Sequence, residues 1–443
     1  SLAFFVHDVL RVKRNAVTVL TIMALGGMAT NVANAIGFLA ADTPARSQFF
    51  SYAVDRYLLL ASLLALAGTV LPLVGGWIAL RSRLVASLTS VAPRVIGRLP
   101  DREVVVGGAI VGILGVLFNL LPRMPGLGTL GAVIRLLPSL MAFLLARVGG
   151  SQGRRNALVA GLAIGLLDAV RALLFAYLRS DMLLPIAAFV FGALLGSRSL
   201  RPLRSRLFVP VYIAIAIFMI YFGAFGAVRS RTGTGLSRIT ATLEAADADY
   251  VPGRPRQTIL SRLTNFNQLS QVGRLVDEGG YMHGSTLSYL AYAFVPRVLW
   301  PDKPVIAKGT WFALQIGQAW IGRDGRINNS VNMTVPGELY LNFGWLGVIP
   351  GCLLFGGLLA VLWTKADFWR SDRNMMGSLF GFYLMWAAFS LGADLQIVVT
   401  LIAMYVIFVT VGIAWRLTIG RPRARESSPP IVAATAPIPS AHE

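Results

Sequence analysis

Apolar stretches long enough to cross a bilayer recur from one end of this chain to the other. A membrane-crossing helix needs about 20 consecutive, mostly apolar residues. Ten such stretches can be drawn, at approximately 16–40, 57–80, 104–122, 127–147, 157–178, 182–197, 207–228, 338–363, 376–392 and 395–416. One such helix could be buried in a soluble core, but ten in one chain could not. With 56% of its 443 residues aliphatic, aromatic or cysteine, the chain is expected to be an all-α, polytopic membrane helix bundle of about ten spans. The span at 182–197 is short, and Arg135 and Pro138 interrupt the one at 127–147.

The formal net charge of +20 invites a nucleic-acid reading, but its distribution excludes that partner. Basic residues gather on alternate sides of the apolar runs, at Arg11/Lys13/Arg14, Arg81/Arg83/Arg94/Arg98/Arg102, Arg147/Arg154/Arg155, Arg198/Arg201/Arg204/Arg206, Lys365/Arg370/Arg373 and Arg421/Arg423/Arg425. The opposite short loops carry only Arg46, Arg56, Arg123 and Arg179. That asymmetry is the positive-inside pattern, so both termini are expected in the cytoplasm. Nearly all the cations are arginine, so a single arginine says little by itself.

The same count puts residues 229–336 outside. The expected organisation is an N-terminal membrane bundle of about seven spans (1–228), a large periplasmic loop carrying the site (229–336), three C-terminal spans (337–417) and a disordered cytoplasmic tail (418–443). Long loops with structure of their own are usually functional. From Ile259 the residues Leu263, Phe266, Leu269, Val272 and Val276 recur every three or four positions with polar residues between them, so an amphipathic helix is expected. Gly279-Gly280 should end it with a left-handed cap. Residues 285–300 read as a re-entrant or interfacial segment, and Trp300, Trp311 and Trp320 suit the headgroup layer.

There is no phosphate-cradling lysine loop, no dinucleotide fingerprint and no His-Glu-x-x-His. One cysteine and three unclustered histidines give no basis for a metal site, and no cofactor is expected. The chemistry-bearing residues concentrate between Tyr281 and Gly347. Arginine forks suit phosphate oxygens, so Arg262, Arg274, Arg297 and Lys303 are candidates for holding an anionic headgroup. His283 and Glu338 are candidate bases; the bland readings are a structural loop histidine and a first-turn acid complementing a helix dipole. Asp302 is a further substrate-binding candidate, ranked behind His283 and Glu338 as a base; its bland reading is a turn organised with Lys303 or Arg297. Within the spans, Arg171 lies three residues after Asp168, so an intrahelical ion pair competes with substrate binding. Arg135 has no such local partner and needs another helix, a wet cavity or an anionic substrate.

Pro296-Arg297, Trp300-Pro301-Asp302-Lys303-Pro304 and Gly337-Glu338-Leu339-Tyr340-Leu341-Asn342-Phe343-Gly344, preceded by Arg262, Phe266-Asn267-Gln268, Tyr281 and His283-Gly284-Ser285-Thr286, resemble the Wzy-type O-antigen polymerases. These enzymes join oligosaccharide repeat units. The resemblance covers about 85 residues; the remaining spans match only in layout. It implies a GT-C-like architecture and glycosyl transfer between undecaprenyl-pyrophosphate-linked glycans at the periplasmic face, without nucleotide sugar, ATP or metal. It also implies membrane lipid and a chain-length regulator as partners. Tyr281, Tyr340 and Asn342 would then hydrogen-bond sugar, and Arg135 and Arg171 would join the binding site if its cavity reaches into the membrane. Two other readings stand beside it: a related lipid-linked-glycan ligase or glycosyltransferase, and a polysaccharide flippase or other transporter. Transporters usually show repeat symmetry and midplane charges; no repeat and a one-sided loop favour an enzyme.

Overall fold

The computed structural model describes residues 19–39, 53–82, 101–121, 128–175, 180–197, 205–217, 240, 264–293, 295, 299–300, 302–304, 308–321, 327, 329–366, 375–389 and 395–418. Within them lie the helices α1 (Val19–Leu39), α2 (Leu58–Arg81), α3 (Asp101–Phe118), α4 (Gly128–Gln152), α5 (Arg155–Phe175) and α6 (Ser180–Ser197). They are followed by α7 (Arg206–Ile217), α8 (Phe266–Gly279), α9 (Tyr289–Tyr292), α10 (Lys308–Gln315), α11 (Val335–Phe343), α12 (Trp345–Ala366), α13 (Met375–Phe389) and α14 (Gln396–Thr418). Among the described residues there is no strand, only an isolated bridge between Ile321 and Ile327. The protein is all-helical there, as the apolar runs require.

Five helices are long and apolar enough to cross a membrane among the described residues: Asp55–Arg81, Ile134–Gln152, Arg155–Phe175, Trp345–Ala366 and Gln396–Ala414. Five shorter apolar helices, Ile22–Ile36, Val104–Phe118, Asp181–Ser197, Arg206–Ile217 and Met376–Ala388, fall within other expected spans.

The helices pack as two groups. In one, α4 lies against α3, α5 and α6, around Ala142, Leu145, Ala146, Ile164 and Phe189. In the other, α2 pairs with α12, and α1, α13 and α14 complete a core around Leu64, Leu359, Phe380 and Leu401. Lipid gives little hydrophobic push between helices, so close backbone approach must hold them together. A Cβ at Gly75 would run into the Leu353 carbonyl oxygen, and one at Gly356 into that of Pro72. Glycine is what lets α2 and α12 touch.

After α7, the described residues between 264 and 343 form a wedge with its own small core of Val272, Phe312, Ile316, Met333 and Leu341. The amphipathic helix is there as α8. Phe266, Leu269 and Val272 are buried, and Gly280 (φ 73°) ends it with its N–H donating to the Val276 carbonyl at 2.9 Å. It starts at Phe266, later than the expected Ile259: Thr264 and Asn265 precede it in non-helical conformation, and 259–263 lie outside the described residues. Polar contacts seat α8 on the bundle. Asn34 of α1 accepts from Thr264 Oγ1 at 2.6 Å, the Val54 N–H donates to Ser270 Oγ at 3.0 Å, and the Tyr57 hydroxyl donates to Asp277 at 2.5 Å.

One expectation is corrected. The span drawn at 338–363 is not a continuous helix. Gly344 (φ 62°, ψ −149°) breaks it, separating α11 from α12. Leu339 and Gly351 would stand about 18 Å apart in one straight helix. Instead, a Cβ at Gly351 would lie 2.6 Å from Leu339 Cδ1. So α11 folds back along α12. Its N-terminus reaches Gly68, where a Cβ would meet Pro336 Cγ at 2.7 Å. Gly68 lies about 15 Å along α2 from Leu58, so α11 is inserted into the bundle rather than laid on its end.

Candidate functional site

The last carbonyls of a helix have no partner within it. At the end of α11, two of them are taken by a neighbouring turn: the Met282 N–H donates to the Leu341 carbonyl at 2.9 Å and the His283 N–H to that of Asn342 at 3.1 Å. The Asn342 side chain completes the joint. Its Oδ1 accepts from the Gly284 N–H at 2.9 Å, and its Nδ2 donates to Thr286 Oγ1 and to the Glu338 carbonyl, each at 2.7 Å. Asn342 is fully buried; its bonds to Gly284 and Thr286 fix the turn, and the one to the Glu338 carbonyl anchors the side chain on α11.

That turn presents His283 outward. The residue is exposed and has φ 47°, in the left-handed region, followed by Gly284 at φ 88°. Histidine tolerates this region better than most residues, and the bonds to α11 hold it there. Exposed Tyr281 and Phe343 flank it. Tyr281 meets Tyr340 edge to face at 6.1 Å between centroids, and Tyr340 meets Trp345 in the same way at 5.8 Å.

The other candidate base is placed quite differently. Glu338 occupies a first helical turn, as the bland reading expects, but the helix is α11 and the residue is 0% exposed. Lys308 Nζ donates to Oε1 at 2.8 Å and to Oε2 at 2.7 Å, and the Leu395 N–H donates to Oε2 at 3.0 Å. Lys308 also donates to the Tyr289 hydroxyl at 2.7 Å. Thus one buried ion pair ties α9, α10, α11 and the start of α14 together. Thr334, whose Oγ1 accepts from the Gly337 N–H at 3.3 Å, caps α11 at a costly φ of 68°. A carboxylate so enclosed is poorly placed to take a proton from a substrate. The geometry gives it a scaffold role instead.

Lys308 escaped the sequence reading. It is one of only four lysines, set in the apolar run Val305-Ile306-Ala307, and that isolation was the available signal.

The two expected loop cations that are described, Arg274 and Lys303, are each engaged by neighbouring groups of the loop. Arg274 donates to Gln271 Oε1 at 2.7 Å, to Glu278 at 2.7 Å and to the Gln315 carbonyl at 2.9 Å, so it fastens α8 to α10. Lys303 donates to the carbonyls of Ala293 and Val295, both at 2.8 Å, while Asp302 beside it is exposed. Arg171 pairs with Asp168 at 2.7 Å, the intrahelical alternative. Arg135 is exposed on α4, where its carbonyl accepts from Asn119 Nδ2 at 3.1 Å. Arg262 and Arg297 lie outside the described residues. The structure therefore brings together His283, Tyr281, Tyr340, Asn342 and Glu338 around α11, and leaves Arg135 and Arg171 on the other helix group. The chain matches no protein-family model, and no curated protein or solved structure is similar to it.

Proposed function

We propose that this protein is a membrane glycosyltransferase of the oligosaccharide repeat-unit polymerase kind, acting on undecaprenyl-pyrophosphate-linked glycans at the periplasmic face of the inner membrane. The observation that carries the reading is an exposed imidazole on a turn locked to α11, beside open aromatic faces and next to the start of a membrane-length helix. An acceptor hydroxyl oxygen attacks the anomeric carbon of the donor sugar. The anomeric carbon–oxygen bond to the lipid pyrophosphate breaks, and the pyrophosphate leaves with the bonding pair. His283, exposed on its turn, takes the hydroxyl proton as general base. Arg262 and Arg297 are the cations proposed to neutralise the leaving group, since the guanidinium of Arg274 is engaged elsewhere.

The test is purified protein supplied with lipid-linked repeat unit and scored for laddered product. His283→Ala should bind donor normally yet lose about a hundredfold or more in turnover, within the range of general-base contributions. Ladders at the wild-type rate would remove His283 from the chemistry.

A second reading has one observation in its favour. A broken helix whose N-terminal half is inserted into the bundle is a construction that transporters use, the half-helix N-terminus facing an anionic substrate. Movement of lipid-linked glycan across proteoliposomes, with no ladder formed, would select it.

A further inference from the structure

We propose that a cleft between α3 and the α4–α5 turn binds the headgroup of an anionic phospholipid. The cleft has a volume of about 370 Å³ and is lined by Val105, Val106, Arg154, Arg155, Asn156 and Ala157. It plays no part in the glycan-transfer site and does not depend on that reading.

Two features define its ligand. The first is charge: consecutive arginines, both exposed, line one wall, at a tight turn whose Gly153 has φ 66°. Guanidinium forks match phosphate oxygens and stay charged at any physiological pH. The second is what leads away from the cleft. Val106, Ile110, Ile113, Leu114 and Leu117 are all exposed, and their spacing of three or four puts them on one face of α3. That face is an aliphatic ridge starting at the cleft wall. A free anion would use the arginines and leave the ridge bare. A molecule with an anionic head and an aliphatic tail uses both, and basic pockets between spans take phospholipid headgroups for this reason.

The experiment titrates the purified full chain in detergent with phosphatidylglycerol, phosphatidylcholine or inorganic phosphate, and counts bound lipid by native mass spectrometry. Phosphatidylglycerol should be retained in preference to phosphatidylcholine. Arg154→Ala/Arg155→Ala should weaken phosphatidylglycerol about tenfold or more, as expected for lost charge-assisted bonds, without changing phosphatidylcholine retention. Val106→Phe, which fills the cleft and leaves the charge intact, should weaken it as well. Arg81→Ala/Arg206→Ala removes the same charge from exposed positions elsewhere and should have no such effect. Equal loss in that control pair, no preference between the lipids, or complete displacement by inorganic phosphate would each overturn the proposal. Size-exclusion profiles matching wild type establish that the variants are folded.

Discussion

Asn342 and the Lys308–Glu338 pair show how differently two buried polar groups can serve one turn. Asn342 makes three side-chain hydrogen bonds, each a modest contribution of about 1 kcal/mol. Asn342→Ala should therefore loosen the His283 turn, seen as faster amide exchange at 282–286, and lower the melting temperature as well. The ion pair acts through charge. Removing one charge strands the other in a dry interior, at a cost of about 3–5 kcal/mol. Glu338→Gln should lower the melting temperature sharply, and Lys308→Met/Glu338→Leu should recover most of the loss. If the double variant melts as low as the single one, the charges are needed for more than mutual neutralisation. The sequence pointed to Glu338 and Asn342 but not to their surroundings. Lys308 stands 30 positions before its partner, and no local pattern encodes a pairing at that range. Hydrophobic spacing reports which face of a helix is buried, never which charge lies opposite.

Among the elements, α8 was readable and the α11–α12 break was not, for related reasons. The α8 pattern alternates polar and apolar residues at helical spacing, and Gly279-Gly280 follows it directly. Across Leu341-Asn342-Phe343-Gly344-Trp345-Leu346 the polarity barely changes, so hydropathy sees one continuous run. What reverses the chain is a single backbone conformation. Gly344 adopts φ 62° and ψ −149°, where a side chain costs about 1–3 kcal/mol, and a Cβ there would stand 2.8 Å from the Tyr281 hydroxyl. Gly344→Ala should reduce stability by at least that amount. Gly356→Leu should do more, because the side chain would meet the Pro72 backbone and force α2 from α12; the readout is loss of monodisperse protein after detergent extraction.

At the scale of the whole molecule, the apolar runs dictate a helical membrane bundle, all-helical among the described residues, and the arginine clusters set its expected orientation. The alternation of arginine clusters predicts that 229–336 and the α4–α5 turn lie on opposite sides. Cys352 is buried, so single cysteines placed at exposed Asp302 and Ser151 can be compared against a quiet background. An impermeant thiol reagent should label the first and spare the second in cells whose outer membrane has been permeabilised. The reverse pattern would invert the topology.

The fold-back of α11 also bears on the order of assembly. Its partners come from distant parts of the chain: Gly68 of α2, Lys308, and the Leu395 N–H at the head of α14, 57 positions downstream of Glu338. Contacts of such long sequence separation form late, after the loops between them have closed. Glu338 cannot gain its Leu395 bond until that part of the chain has been synthesised. Until then the Lys308–Glu338 pair lacks the backbone bond that joins it to the head of α14. Maturation of the His283 turn is thereby tied to completion of the bundle beneath it.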